Sequence, residues 1–347
     1  MGGRIRMRAI VVLSALLIVP SFDIRTAWAD DAYKGKTLTI ITSTGPGGTY
    51  DVTARAIARH MPRHIPGTPT IIVQNMPGGG NVLATNYMYT IAPKDGLTIA
   101  TIENGIPLHQ MVDGQGVRYD AAKFNWLGST GPENQAVYAW NTAGVKTLQD
   151  VLTHEVTLGG TGAGSSIVIY PIAMNAVLGT KFKIVMGYKS SEEVTLAVQR
   201  GEVQARSDGL SSIARQHLDW IKDKTIDVLA VVGLKRDKLL PDVPLMMEFA
   251  KNEQDRETLK LISAPTALGR PYLAPPDIPA DRLAALRKAF METLRDKEFV
   301  DDMAKLKLDI DPMGSEEITK IVADTIGAPP AVVAKAKVAL GVTGNSQ

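Results

Sequence analysis

Short apolar runs alternate with amphipathic stretches along most of this chain, and glycine-containing turns separate them. Runs of strand length predict β-strands at residues 38–41, 70–73, 97–102, 137–140, 156–158, 182–185 and 228–232. Apolar residues at helical spacing follow several of these runs, and a late amphipathic helix has Leu283, Leu286 and Leu294 on one face. Strands and helices that alternate in this way are typical of a largely parallel α/β sheet.

Two of the predicted strands lead through glycine-rich loops into helices. The first loop spans residues 45–51, with Asp51 as the expected N-cap of its helix, and the second spans residues 160–166. Glycine lets a ligand approach the backbone, and a helix N-terminus offers unpaired N–H groups, so such loops suit an anion. The alternative interpretation is that each loop is only a tight strand-to-helix turn. Because each half of the chain has one such loop, we favour a binding site that the two loops share.

The first 29 residues have the layout of a cleavable export signal. Arg4, Arg6 and Arg8 precede an apolar run over residues 9–20, and Ala27-Trp28-Ala29 supplies a small-residue cleavage site. That run is about 12 residues long, whereas a membrane-spanning helix needs roughly 20 apolar residues. An uncleaved membrane anchor is the alternative. We expect a periplasmic protein that is released from the membrane.

The composition excludes several kinds of chemical site and partner. The chain has no cysteine, which excludes disulfides, thiol catalysis, zinc–thiolate sites and a lipid-modified N-terminal cysteine. The formal charge of +2 becomes −1 when residues 1–29 are left out, so a nucleic-acid partner is not expected. About 318 residues then remain, more than one compact core usually holds. Two domains are therefore expected.

Motifs of nucleotide binding and of hydrolysis are missing from the glycine loops. A dinucleotide fingerprint needs glycine where Ile167 stands, and a P-loop needs lysine where Ser165 stands. The sequence has neither a Gly-x-Ser-x-Gly elbow nor a His-Glu-x-x-His helix, and His60 and His64 are interpreted as a surface helix end. We expect no enzyme activity, no cofactor and no metal. An exported hydrolase or transferase is the alternative.

Several motifs are shared with one family of exported receptors. The segment Pro46-Gly47-Gly48-Thr49-Tyr50-Asp51-Val52-Thr53-Ala54-Arg55 is followed by Asn75-Met76-Pro77-Gly78-Gly79-Gly80, by Tyr188-Lys189 and by Leu239-Leu240-Pro241-Asp242-Val243-Pro244. With these motifs the chain resembles the solute receptors of tripartite tricarboxylate transporters, also called Bug receptors, over nearly its whole length after the signal. Ser190 departs from the glycine that commonly follows Tyr-Lys in that family.

The resemblance implies a two-lobed fold of the periplasmic-binding-protein type, with a mostly parallel, doubly wound sheet in each lobe and a hinge crossed twice. It places the first lobe at residues 30–129 plus 234–347 and the second at residues 130–233, after a signal at 1–29. It also implies a small di- or tricarboxylate or aromatic acid as ligand, and a membrane transporter or a sensor as partner. The protein is expected to be a monomer.

The expected ligand contacts come from both lobes. They are Pro46, Gly47, Gly48, Thr49, Asp51 and Asn104 from the first lobe and Gly164, Ser165, Ser166, Tyr188, Lys189 and Asp208 from the second. Asn104 follows the third strand, where a ligand meets the carboxyl ends of parallel strands. Asp208 matches a family aspartate that either binds a ligand amino group or braces a loop. Arg55, one turn beyond Asp51, is expected to pair with that carboxylate.

Overall fold

The computed structural model describes residues 32–79, 82–161, 165–188 and 190–342. The expected signal over residues 1–29 and two expected ligand contacts, Gly164 and Lys189, lie outside the described residues.

Eleven strands of the described chain form two sheets. They are β1 (Thr37–Thr42), β2 (Thr70–Asn75), β3 (Thr98–Thr101), β4 (Asn125–Ser129), β5 (Gln135–Trp140), β6 (Val156–Gly160), β7 (Phe182–Met186), β8 (Ala205–Gly209), β9 (Ile226–Val232), β10 (Pro271–Ala274) and β11 (Met313–Gly314). The first sheet has the order β11-β4-β10-β3-β1-β2, and the second has the order β7-β6-β8-β5-β9. Two sheets confirm the two-lobed α/β class.

Both sheets are mixed, which corrects the expectation of mostly parallel sheets. In the first, β1 pairs in parallel with β2 and β3, whereas β10 and β11 pair antiparallel. In the second, β6 pairs in parallel with β7 and β8, whereas β5 is antiparallel to β8 and β9. Of the strands in antiparallel pairs, β5 and β10 are the first strand of their sheet after the chain has left the other sheet.

Helices cover both faces of the sheets. They are α1 (Thr49–His60), α2 (Val82–Thr90), α3 (Ile106–Val112), α4 (Asp150–Thr153), α5 (Ser166–Ala173), α6 (Ser191–Gln199), α7 (Leu210–Gln216), α8 (Leu218–Lys222), α9 (Glu253–Leu268), α10 (Ala280–Arg295), α11 (Lys297–Lys305), α12 (Ser315–Ile326) and α13 (Pro330–Ala339). None of them, within the described residues, is long and apolar enough to cross a membrane.

The segment after β9 packs on the second sheet before the chain returns to the first. Leu259 and Ile262 of α9 belong to the same buried cluster as Val137 of β5, and Val333 of α13 joins that cluster as well. Leu108 of α3, which follows a strand of the first sheet, is also a member. One apolar cluster therefore joins elements from both sheets. The lobe boundaries at residues 129 and 233 remain a prediction.

Two segments connect the sheets and are hydrogen-bonded to each other. The first runs from Ser129 at the end of β4 to Gln135 at the start of β5, and the second leads from α9 into β10. The N–H of Glu133 donates to the carbonyl of Thr266 at 2.8 Å, and the N–H of Thr130 donates to the carbonyl of Arg270 at 3.4 Å. We call residues 130–133 and 266–270 the crossing segments.

Gly269 allows the crossing segments to touch. A Cβ atom added to Gly269 would lie 1.7 Å from the carbonyl oxygen of Gly131, and Gly269 has φ +56°. A residue with a Cβ atom would overlap this oxygen and would be strained at the positive φ, so it could not replace Gly269 without backbone movement. The sequence therefore specifies a close contact at the point where the chain passes between lobes.

Candidate functional site

The first glycine loop is organised by one buried carboxylate. Asp51 Oδ2 accepts the N–H of Gly47 at 2.9 Å and the Nε–H of Arg55 at 3.0 Å, and Oδ1 accepts from Asn75 Nδ2 at 2.9 Å. Burial opposes ionisation of Asp51, but the hydrogen bonds from Arg55, Gly47 and Asn75 outweigh it and lower the pKa of this carboxyl. Both carboxylate oxygens of Asp51 therefore accept hydrogen bonds from within the protein, and this residue holds the loop in its shape. The expected pairing with Arg55 is confirmed.

The expectation that Asp51 is the N-cap of α1 is wrong. The helix begins at Thr49, so Gly48 occupies the N-cap position with extended backbone and Asp51 is the third helical residue. Its carboxylate reaches back to the N–H of Gly47, just before the cap. Pro46, Gly47 and Gly48 are exposed and Thr49 is half-buried, so the expected contacts of the first loop are accessible at the start of a helix.

Tyr50 connects this loop to the third strand and to the crossing segments. Its hydroxyl donates to the carbonyl of Gly269 at 3.0 Å and accepts the N–H of Asn104 at 3.2 Å. Burial raises the pKa of Tyr50 well above its usual range, and the charge of nearby Glu103 raises it further. Tyr50 therefore stays neutral and fixes the position of Asn104, one of the expected ligand contacts, relative to the first loop.

Glu103 lies within electrostatic reach of a tyrosine on each of the two helices that follow the glycine loops. Its N–H donates to Ser43 Oγ at 3.1 Å, which fixes it at the carboxyl end of β3. Its charge raises the pKa of Tyr50 on α1 and that of Tyr170 on α5. Burial raises the pKa of Glu103 itself to about 7, and the N–H of Asn104 partly opposes that change. Glu103 thus marks where elements of the two lobes meet.

The crossing segments contribute a buried ion pair to the same region. Arg270, 4% exposed, pairs with Glu133, and its Nε–H donates to Thr130 Oγ1 at 3.3 Å. The other oxygen of Glu133 accepts the N–H of Ser211, at the start of α7, at 3.1 Å. Arg270 and Glu133 both act on the pKa of Tyr50, so this pair lies next to the first loop. Side chains from both lobes and from the crossing segments thus surround one region, which we call the cleft.

The second glycine loop is described at its two ends. The hydroxyl of Thr161 donates a hydrogen bond to Ser165 Oγ at 2.9 Å, and Ser165 is the N-cap residue of α5. Ser166, the first residue of α5, is exposed. A Cβ atom on Gly160 would lie 2.4 Å from Val168 Cγ2, so only glycine lets α5 pack this closely on the end of β6. The start of α5 is thereby fixed to the second sheet.

Asp208 ends β8 beside a fully buried arginine. Its Oδ2 lies 3.0 Å from Arg206 Nη2, and its Oδ1 accepts the N–H of Gly209 at 2.9 Å. Arg206 also donates to the carbonyl of Ser191 at 3.0 Å and to the hydroxyl of Thr195. Burial raises the pKa of Asp208 and outweighs the opposing effect of Arg206. Asp208 therefore braces β8 against the start of α6, and its contact with a ligand remains a prediction.

Tyr188 is half-buried and packs near Gly159 at the end of β6, where it joins a small apolar cluster with Val203. Ser190, which departs from the motif noted above, is the N-cap of α6, and its hydroxyl accepts the N–H of Glu193 at 3.2 Å. A side-chain cap thus replaces glycine at this position.

The paired histidines lie outside the cleft, at the end of α1. His60 Nε2 lies 2.8 Å from an oxygen of Asp302, and His64 Nε2 lies 2.8 Å from an oxygen of Asp296. Both carboxylates come from the region of α11. These contacts join α1 to α11. In the described chain, no group of three or more histidines and carboxylates has the spacing of a metal site.

Comparison with known proteins decides the family. The profile of the tripartite tricarboxylate transporter family receptor matches residues 53–338, which is most of the chain.

The chain belongs to this receptor family.

Relatives of the receptor are distant in sequence and similar in fold. A curated protein of Cupriavidus necator, described as the UPF0065 protein in the gbd 5' region, is 22% identical over 312 residues, or 88% of this chain and 89% of its own length. A TctC solute binding protein from Polaromonas, solved without ligand, matches with a TM-score of 0.68 and 17% identity over 90% of this chain and 100% of that one. MatC from Rhodopseudomonas palustris, solved with malate, matches with a TM-score of 0.64 and 19% identity over 86% of this chain and 99% of that one. These structures confirm the fold of the receptor.

Sequence reasoning missed Tyr50 and three charged residues that act on its pKa in this receptor. They are Tyr50, Glu103, Glu133 and Arg270. Tyr50 stands inside the Pro-Gly-Gly motif, and Glu103 directly precedes Asn104, which the sequence did single out. The same rule, that ligands meet the carboxyl ends of strands, points to Glu103 as well. Glu133 and Arg270 carry no local signal, because their pairing depends on how the crossing segments meet.

Proposed function

We propose that this receptor captures a small carboxylate in the cleft and presents it to a membrane transporter or a sensor. The observation that carries the proposal is the Tyr50 hydroxyl, which joins α1 to the carbonyl of Gly269 in a crossing segment and to the N–H of Asn104 after β3. The first glycine loop is therefore held at the passage between the lobes. The helices that follow the two glycine loops offer N–H groups and positive dipole ends at their N-termini, which suits the carboxylate groups of one ligand.

The proposed contacts are the backbone of residues 46–49, Asn104 and the start of α5 at Ser165 and Ser166, with Gly164, Tyr188 and Lys189 completing the set. The arginines near these loops are occupied, since Arg55 pairs with Asp51 and Arg270 with Glu133. Recognition therefore relies on N–H groups and hydroxyls. MatC, a structural relative with bound malate, supports a carboxylate as ligand.

Closure of the lobes is the proposed mechanism of capture. The crossing segments connect the two lobes, and rotation about them changes the separation of the two sheets. Ligand that contacts both loops stabilises the closed arrangement. The proposed location is the periplasm, after cleavage of the signal at residues 1–29, with the protein acting as a monomer. The described residues of the cleft do not support the alternative of an exported hydrolase or transferase.

A thermal-shift panel tests the proposal. Protein that has been unfolded, dialysed and refolded to remove bound ligand is heated with C4 to C6 dicarboxylates, citrate, aromatic acids and acidic amino acids. Succinamide, which matches succinate in shape without its charges, serves as the control. Ligand that binds only the folded form raises the melting temperature by mass action.

A rise with a carboxylate and none with its amide supports the receptor assignment. Equal shifts with acid and amide show that charge is not recognised and contradict it. If no acid of the panel shifts the melting temperature of refolded protein, the carboxylate assignment fails while the fold stands.

A further inference from the structure

A cavity of about 360 Å³ lies between the helices α7 and α8 and the chain that follows α11. Arg215 and Asp219 line one wall, and Lys307 and Asp309 line the other. None of the expected ligand contacts that the structure describes lines this space, so it is separate from the cleft. We call it the seam cavity, because its two walls pack on different sheets.

The two walls of the seam cavity belong to different apolar clusters. Ile213 of α7 is buried with residues of β5 and β9 in the second sheet. Leu308, inside the other wall, is buried with residues of β1, β3 and β4 in the first sheet. Three residues further on, the N–H of Asp311 donates to the carbonyl of Thr130 at 2.9 Å, so this wall continues to the crossing segments. A ligand held by both walls bridges the two sheets.

The guanidinium of Arg215 is not paired with a carboxylate of the described chain, unlike that of Arg270, which pairs with Glu133. Its Nε atom is buried and has no hydrogen-bond partner among the described residues. Asp219 and Asp309 line the same cavity, but both are exposed, so water solvates their carboxylates without a cation. A buried N–H donor gains no such hydration, so the cavity favours a ligand that supplies an acceptor oxygen.

Lys307 brings a second cation to the cavity from the other wall. Its Nζ atom donates to the carbonyl oxygen of Arg215 at 3.2 Å, and it forms no ion pair within the part of the chain that the structure describes. Its backbone has φ +54° just after α11, where glycine is the usual residue because a side chain is strained there. A strained residue of this kind points to a function for its side chain. The ammonium of Lys307 has two more N–H groups to donate.

We propose that the seam cavity is a second binding site, for a small oxyanion (a carboxylate or a phosphate) held between Arg215 and Lys307. The oxygens of the ion accept from the buried Nε–H of Arg215 and from the free N–H groups of Lys307. Because one wall reaches the crossing segments, the bound ion stabilises one separation of the two sheets. The inference goes beyond the proposed function, since it concerns other residues and holds whichever acid binds in the cleft.

Melting temperatures in phosphate, sulfate and acetate test the site, each compared with chloride at the same ionic strength so that screening is constant. An oxyanion that binds the folded protein raises the melting temperature in a saturable way, which gives an apparent dissociation constant. We expect saturable binding in wild type and at least about 5-fold weaker binding in Lys307→Gly, since one of the two charged partners is lost. The salt that gives the response identifies the kind of oxyanion.

Lys224→Gly is the matched control for this variant. Lys224 has the same φ of +54° and is exposed, but it does not line the seam cavity. Glycine relieves the strain at a positive φ, so both variants should remain folded in chloride. Only Lys307→Gly should lose oxyanion binding.

A second variant separates oxyanion binding from the direct bond between the two walls. Arg215→Gln keeps the main-chain oxygen that Lys307 contacts and removes the guanidinium. It should also weaken oxyanion binding by at least about 5-fold. Crystals soaked in selenate then locate the ion by its anomalous scattering, and the expected peak lies within hydrogen-bond distance of both Arg215 and Lys307.

Three results would overturn the inference. Equal responses of wild type and Lys307→Gly to every oxyanion would show that Lys307 does not bind one. Weaker binding in Lys307→Gly but not in Arg215→Gln would mean that the lysine acts only through its bond to the main chain. A selenate peak confined to the glycine loops, or one without any response in solution, would mean binding in the cleft or an adventitious ion only. None of these results bears on the carboxylate panel, which reports on a different set of residues.

Discussion

The hydroxyl of Tyr50 donates to the carbonyl oxygen of Gly269 at 3.0 Å, across 219 residues of sequence. This bond joins the helix after the first glycine loop to one of the two crossing segments. Because the same hydroxyl accepts the N–H of Asn104, the loop, the end of β3 and the crossing segment share one anchor. A movement at the crossing segments is therefore transmitted to the residues proposed to contact ligand.

Tyr50→Phe removes that anchor and keeps the ring. We expect unfolding free energy to fall by about 1–2 kcal/mol, because a buried N–H and a carbonyl lose their partner, and ligand affinity to fall as well. Tyr119→Phe is the matched control, since its buried hydroxyl donates to the carbonyl of Ile106 at 3.1 Å. Urea unfolding and calorimetry of ligand binding measure the two effects. Equal loss of affinity in both variants would contradict a specific role for Tyr50.

Asp51→Asn tests the organisation of the first loop. The lowered pKa of Asp51 means that its contribution to stability is present above the pKa of the unfolded carboxyl and is lost as the pH falls through the folded value. The variant should therefore lose about 1–3 kcal/mol at pH 7 and differ less from wild type at pH 3. Asp150→Asn is the control, because its exposed carboxylate accepts the N–H groups of Lys146 and Thr147 away from the cleft. It should leave ligand affinity unchanged, whereas Asp51→Asn should lower it.

Gly269→Ala tests the contact of the crossing segments. The added Cβ would overlap the carbonyl of Gly131 at a positive φ, so we expect a loss of about 3–5 kcal/mol. Gly144→Ala also has a positive φ, of +76°, but meets nothing within 4 Å. It should lose only about 1–2 kcal/mol, the cost of the left-handed backbone. Urea midpoints compare the two variants, and similar losses would mean that steric contact between the segments contributes little.

Glu103→Gln should stabilise the unliganded protein in a pH-dependent way. The pKa of Glu103 is raised to about 7 in the folded state, so its favourable contribution exists below the unfolded pKa and is lost as the pH rises through 7. The variant should therefore show little change near pH 4 and a gain of about 1–3 kcal/mol at pH 8. Melting temperatures of ligand-stripped protein across this range provide the measurement. A gain that is constant with pH would show that the carboxyl is not desolvated.

The strands with clear apolar runs were predictable from the sequence, and the crossing region was not. β1, β2 and β6 lie within two residues of their predicted bounds, because each is a short apolar run ended by glycine or polar residues. β10 begins at Pro271, outside the apolar runs that predict strands. Proline at the first position of a strand needs no N–H for the ladder, so Pro271 is compatible with the strand.

The helix α9 is not among the elements that the sequence predicts. Pro265 lies inside it, and proline is unfavourable in a helix interior. Its start did carry a signal, since Asn252 accepts the N–H of Asp255 at 2.8 Å as an N-cap. The pairing of Arg270 with Glu133 depends on tertiary approach across 137 residues, which no local pattern specifies.

The last helix, α13, has a consequence for when the protein is able to fold. Val332, Val333 and Ala336 complete the cluster that also contains Leu108 from one half of the chain and Val137 from the other. This cluster stays incomplete until α13 has been added to the chain. A growing chain that has passed α9 but not α13 therefore leaves the apolar residues of this cluster uncovered on one side. For the export proposed above, this order of assembly favours translocation before the cluster closes.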